Sequence, residues 1–111
     1  MYKRQLIGYV NDYIDIDTDG EYVTMKAING AKLYYTVAGA SEKSMTQLEE
    51  PTFNSEHLEP RQKVVFSCYD FNKNANRGGL YLKVHAYKNG KLIAISYESH
   101  YMIQMIPGFY Y

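Results

Sequence analysis

Apolar and polar residues alternate with a period of two along most of this chain, and Asp19-Gly20, Asn29-Gly30 and Asn89-Gly90 punctuate the alternating runs. On an extended backbone, side chains two apart share a face, so such alternation marks strands with one buried side. Asp-Gly and Asn-Gly tolerate the positive φ that tight hairpin turns require. Together these features limit the chain to an all-β fold.

In the first run, Leu6, Gly8, Val10, Asp12, Ile14 and Ile16 fall on one face. Ile7, Tyr9, Asn11, Tyr13, Asp15 and Asp17 fall on the other. Glu21 to Ile28 reads as a second strand. Ala31 to Ala38 reads as a third, with Leu33, Tyr35 and Val37 opposite Lys32, Tyr34 and Thr36. The turn signals between them predict a three-stranded antiparallel meander. From Gly39 to Gln62 the alternation breaks. Ser41 to Glu50 is predicted as a short helix, capped by Ser41, with Met45 and Leu48 on one face and Pro51 at its end. One more turn is expected at Asn54 to Leu58, before Pro60.

Strands resume at Lys63 to Phe71, and Asn72 to Gly79 forms a polar, basic loop. Leu80 to Lys88 then alternates cleanly, with Leu80, Leu82, Val84 and Ala86 inward and Tyr81, Lys83, His85 and Tyr87 outward. Lys91 to Tyr97 and Tyr101 to Ile106 complete the set, with His100 in a turn between them. Phe109-Tyr110-Tyr111 forms an aromatic tail. This order predicts a single β-rich domain over residues 1–111 with one short helix. It suits a small antiparallel barrel resembling the oligonucleotide/oligosaccharide-binding (OB) fold, or alternatively a seven-stranded sandwich.

The size leaves room for one core only. With 46% hydrophobic and 22% charged residues, the composition is that of a globular chain. No apolar run approaches the ~20 residues needed to cross a bilayer as a helix. Met1 to Gln5 leads directly into strand residues rather than into a signal-peptide apolar region. Cys68 is the sole cysteine, so no internal disulfide forms. These features lead to the expectation of a cytoplasmic protein.

The zero net charge conceals a division. Residues 1–60 carry five Lys/Arg against ten Asp/Glu, and residues 61–111 carry seven against two. A basic half can hold a polyanion, or the halves can neutralise each other across the fold. There are 13 Tyr, 4 Phe and no Trp. Tyrosine suits both strands and recognition surfaces.

Asp15-Ile16-Asp17-Thr18-Asp19-Gly20 resembles the start of a calcium-binding EF-hand loop. Lys26, however, stands where such a loop needs its bidentate glutamate, and no helix flanks the segment. His57, His85, His100 and Cys68 lack metal-ligand spacing, and a buried inert thiol is expected at Cys68. No nucleophile elbow or phosphate-cradling glycine loop is present. No catalysis, metal or cofactor is therefore expected.

Rings and cations interleave on the outer faces of the strands. Tyr81, Lys83, His85 and Tyr87 share one strand face, beside Lys32 and Tyr34, Tyr9, and the loop residues Lys73 and Arg77. Aromatic rings on a sheet can stack on bases while Lys and Arg hold phosphates. The leading expectation is a single-stranded nucleic-acid-binding module, of a kind that suits a phage or another mobile element. Its rival is a protein–protein interaction module: an inhibitor, an immunity protein or a self-associating assembly subunit. Long edge strands and a tyrosine-rich surface support that rival.

Overall fold

A computed structural model describes residues 11–19, 21–71 and 77–103, and only the backbone of residues 77–78 and 101–103. Tyr9, Gly20, Lys73, the Arg77 side chain and the aromatic tail lie outside the described residues. The described chain holds seven strands and no helix: β1 (Ile14–Thr18), β2 (Tyr22–Ala27), β3 (Lys32–Gly39), β4 (Glu56–Leu58), β5 (Lys63–Ser67), β6 (Arg77–Lys88) and β7 (Lys91–Ile103). They pair as two antiparallel sheets, ordered β1-β2-β5 and β4-β3-β6-β7. The architecture is all-β and sandwich-like. The described strands close no barrel, so the OB-like arrangement is not what they adopt. No helix among the described residues is long and apolar enough to cross a membrane.

Both sheets contribute to one core. Ile14, Ile16, Val23, Met25 and Phe66 come from the first sheet, and Leu33, Tyr35, Leu58, Leu80, Leu82, Val84 and Ala86 from the second. Each fully buried Val, Leu or Ile contributes about 1.5–3 kcal/mol, so the unbroken inner row of β6 anchors the second sheet. On β1, Ile14 and Ile16 point inward while Asp15 and Asp17 are exposed, as the alternation predicts. Asp19 completes the next turn by accepting from the backbone N–H groups of Glu21 and Tyr22 at 2.9 and 2.8 Å. Those acids therefore serve a strand face and a turn.

Three sequence expectations are corrected. First, β1, β2 and β3 are not a meander. Asn29 and Gly30 do adopt φ of 56° and 81°. The chain nevertheless crosses there into the second sheet, and β2 takes β5 as its neighbour. Second, Ser41 to Glu50 forms turns, not a helix. Leu48 alone is buried in that segment, too little apolar surface to hold a helix of ten residues, which is marginal by itself in water. The expected turn at Asn54 to Leu58 contains β4. Third, β7 is one continuous strand through Tyr97 to Tyr101, so His100 sits within it rather than in a turn.

Candidate functional site

Register brings much of the proposed face together. Lys32 lies opposite Tyr87, Tyr34 opposite His85, Thr36 opposite Lys83 and Ala38 opposite Tyr81. Across the other edge of β6, Lys83 faces Tyr97 and His85 faces Ile95. These side chains lie on the side of the second sheet away from the core, because Leu33, Leu82, Val84 and Ala86 point into it.

The face is not open, which corrects the expectation that its residues point together into solvent. Lys83 is 6% exposed and Tyr34 8% exposed, while Tyr81, His85 and Tyr87 are half-buried. The connection between β3 and β5 lies over them as a strap. The Lys83 ammonium donates to the Leu48 carbonyl at 2.7 Å and stands 3.4 Å from the Glu50 carboxylate. Thr36 Oγ1 donates to the Glu49 carbonyl at 2.6 Å. His85 Nε2 lies 2.9 Å from Glu50 Oε1, and the Tyr97 hydroxyl donates to the other carboxylate oxygen. Hydrogen bonding from Tyr97, with help from His85 and Lys83, holds the Glu50 carboxyl below its ordinary range.

Rings meet the strap in the same way. Phe53 packs on Tyr34 and Tyr87 at centroid distances of 5.2 and 5.1 Å. Tyr34 also meets Tyr87 at 5.6 Å and His57 at 5.7 Å. Lys32 pairs with Glu59 at 3.3 Å and lies 5.2 Å from the Tyr34 ring centroid. Glu50 of the acidic half thus neutralises Lys83 of the basic half, while Glu59 pairs with Lys32 within its own half, so both described cations assigned to phosphates are occupied.

A cleft of about 450 Å³ lies between strap and sheet, lined by Thr36, Val37, Lys43, Leu48, Glu49 and Glu56 among others. Its mixed charges converge on no shared point of chemistry. Among the described residues, no group of three or more His, Cys, Asp or Glu could hold a metal ion. Burial pushes the Cys68 thiol up to about 11, which leaves it largely un-ionised at neutral pH.

The feature that sequence reasoning missed is β7, which is turned inside out. Its apolar residues face outward: Leu92 is 46% exposed, Ile93 37%, Ile95 49% and Tyr97 50%. Its polar residues face the core side, where Ser96 pairs with Val84, Glu98 with Leu82 and His100 with Leu80. Ser96 is buried and its hydroxyl donates to Glu98 at 2.8 Å. Burial raises the Glu98 carboxyl and lowers the His100 imidazole. His100 Nε2 is buried with no hydrogen-bond partner among the described residues and lies 3.9 Å from Glu98 Oε1.

A single residue causes this. The Asn89-Gly90 turn pairs Lys88 with Lys91 and Tyr87 with Leu92, but the ladder then slips so that Ala86 pairs with Ala94. Ile93 is the extra residue of this β-bulge. Without the slip, Ile93, Ile95 and Tyr97 would stand opposite Ala86, Val84 and Leu82 on the core side. A shift of one residue exchanges the two faces of a strand. The sequence carries no signal of it, because the natural register of the Asn89-Gly90 turn places these apolar residues on the core side.

No protein-family model, curated protein or solved structure matches the chain, so its functional reading rests on these residues.

Proposed function

We propose that this chain is a protein–protein interaction module without catalysis, an inhibitor or assembly subunit that docks through β7. The inverted strand carries this reading. β7 is the last strand in its sheet among the described residues, and it holds polar groups inward and an apolar row outward. Full burial of an Ile contributes about 1.5–3 kcal/mol, so half-exposed Ile95 leaves roughly 1 kcal/mol available to a partner. A bulged strand that faces apolar residues away from its own core suits a surface completed by another chain.

A photo-crosslinking residue placed at Ile95 in cells that make the protein tests this. The reading expects discrete protein adducts at position 95 and none at exposed Lys26 on the other sheet. Equal adducts at both positions, or none at 95, contradict it.

Single-stranded nucleic acid is the second reading. It draws support from Lys83, His85 and Tyr97, three donors that converge on one carboxylate of the kind a phosphate resembles. It requires a strand to displace Glu50 and Phe53. Quenching of tyrosine fluorescence by oligo-dT, weakening steeply as salt rises, would favour it. No quenching at low salt is the outcome the protein-binding reading expects.

A further inference from the structure

We infer that Glu50 is an internal stand-in ligand: Lys83, His85 and Tyr97 form an oxyanion site on the outer face of the second sheet, and a phosphate group takes it when Glu50 leaves. The inference deepens the nucleic-acid reading and rests on it for the source of the phosphate.

The sheet, not the strap, fixes the three donors. Lys83 and His85 are two residues apart on β6 and therefore share its outer side, and Tyr97 stands opposite Lys83 on β7. They divide one carboxylate between them. Oε1 lies 2.9 Å from His85 Nε2, while Oε2 lies 3.4 Å from the Lys83 ammonium and accepts from the Tyr97 hydroxyl. The Lys83 side chain is only 7% exposed. A buried ammonium is costly unless an anion answers it, and Glu50 is the acid that does so here.

The occupant is free to depart, because Glu50 is half-exposed and belongs to the irregular connection rather than to a strand. Without it, the Lys83 ammonium keeps the neutral Leu48 carbonyl as its partner. An entering oxyanion restores the missing charge and the charge-assisted hydrogen bonds. Two phosphate oxygens replace Oε1 and Oε2, and the others point away from the sheet, where the exposed part of Glu50 lies. Tyr34 faces His85 across β3 and β6 and packs with Phe53 and Tyr87. Rings therefore lie beside the phosphate position, the combination that single-strand binding uses.

Inorganic phosphate, titrated into the full chain at constant ionic strength with chloride as the reference, tests the site. Glu50→Ala empties it, and Glu50→Gln removes the charge while keeping the shape. In either variant the His85 and Tyr97 NMR signals should shift saturably with phosphate, at least about ten-fold more tightly than in the wild type, where Glu50 competes. Adding Lys83→Met to Glu50→Ala should abolish the response. No response beyond that to chloride, or an equal response after Lys83→Met, overturns the inference. So does unfolding of both Glu50 variants, which would make that carboxylate a structural clasp. Oligo-dT separates this result from the reading beneath it. Tighter tyrosine quenching in Glu50→Ala supports both. A variant that takes phosphate but not oligo-dT keeps the site and overturns the nucleic-acid reading. Oligo-dT that binds equally with and without Glu50 keeps that reading and overturns the site.

Discussion

The outer face of the four-stranded sheet has two halves that share a plane but not a fate. Over β3 and β6 the chain covers its own surface, and Tyr34, Lys83, His85 and Tyr87 all have partners in the strap. Over β7 the apolar row of Ile93, Ile95 and Tyr97 remains exposed. The covered half is rich in groups that bind, and those groups are occupied. The bare half has simpler chemistry but is available. A list of attractive side chains is thus a poor guide to a binding surface, because what matters is whether their interactions are already satisfied.

Mutations separate the halves, and the largest effect is expected at Leu48. Leu48→Ala removes the strap's buried anchor and should cost about 2–5 kcal/mol in chemical denaturation, toward the lower end because the strap can adjust. Hydrogen exchange should rise over the strap while that of β7 stays unchanged. Equal increases in both would show that the two halves are not independent.

Lys83→Ala comes next. It leaves the Leu48 carbonyl and the Glu50 carboxylate without their ammonium partner, at an expected cost of about 1–3 kcal/mol. A loss within measurement error would mean that the strap does not depend on this contact.

On the core side of β7, His100→Leu should stabilise the chain by about 1 kcal/mol, because it removes a buried nitrogen with no hydrogen-bond partner among the described residues. It should also change the response to acid. Burial lowers the His100 pKa, so folding favours the neutral ring. The associated stability is fully present above the ordinary value of 6.5 and is lost as pH falls through the lowered folded value. Thermal melts from pH 7.5 downward should show this loss in the wild type and a smaller one in His100→Leu. Identical profiles would place His100 outside the buried row.

The smallest effect on folding is expected at Ile95. Ile95→Lys should change the stability of the isolated chain by no more than about 0.5 kcal/mol, because the side chain is half-exposed. A loss of several kcal/mol would mean that Ile95 belongs to the core.

Much of the fold was legible because strand alternation is local. Leu80, Leu82, Val84 and Ala86 face inward as read, and Asn89-Gly90 turns with φ of 54° and 78°. What escaped was not local. The Asn29-Gly30 turn announces a reversal but not the sheet that the chain enters next. Alternation puts Lys83 on the outer side of β6 without revealing that Leu48, 35 positions earlier, lies over it. Lys32, Tyr34, Tyr81, Lys83, His85 and Tyr87 do share one side of the sheet, but their exposure was misjudged, and Tyr9, Lys73 and the Arg77 side chain lie outside the described residues. The orientation of β7 escaped because one slipped residue at Ile93 reverses everything downstream of it.

That reversal is the claim on which the rest depends, and thiol labelling of Ile95→Cys and Ser96→Cys in dilute solution tests it most directly. Cys68 is buried, with its thiol pushed up to about 11, so it contributes little background. The thiol of Ile95→Cys is expected to react at close to the rate of the unfolded chain, and that of Ser96→Cys at least about ten-fold more slowly, as reactivity follows thiolate exposure. A reactive thiol at position 96 beside a protected one at position 95 would mean that β7 buries its apolar side after all.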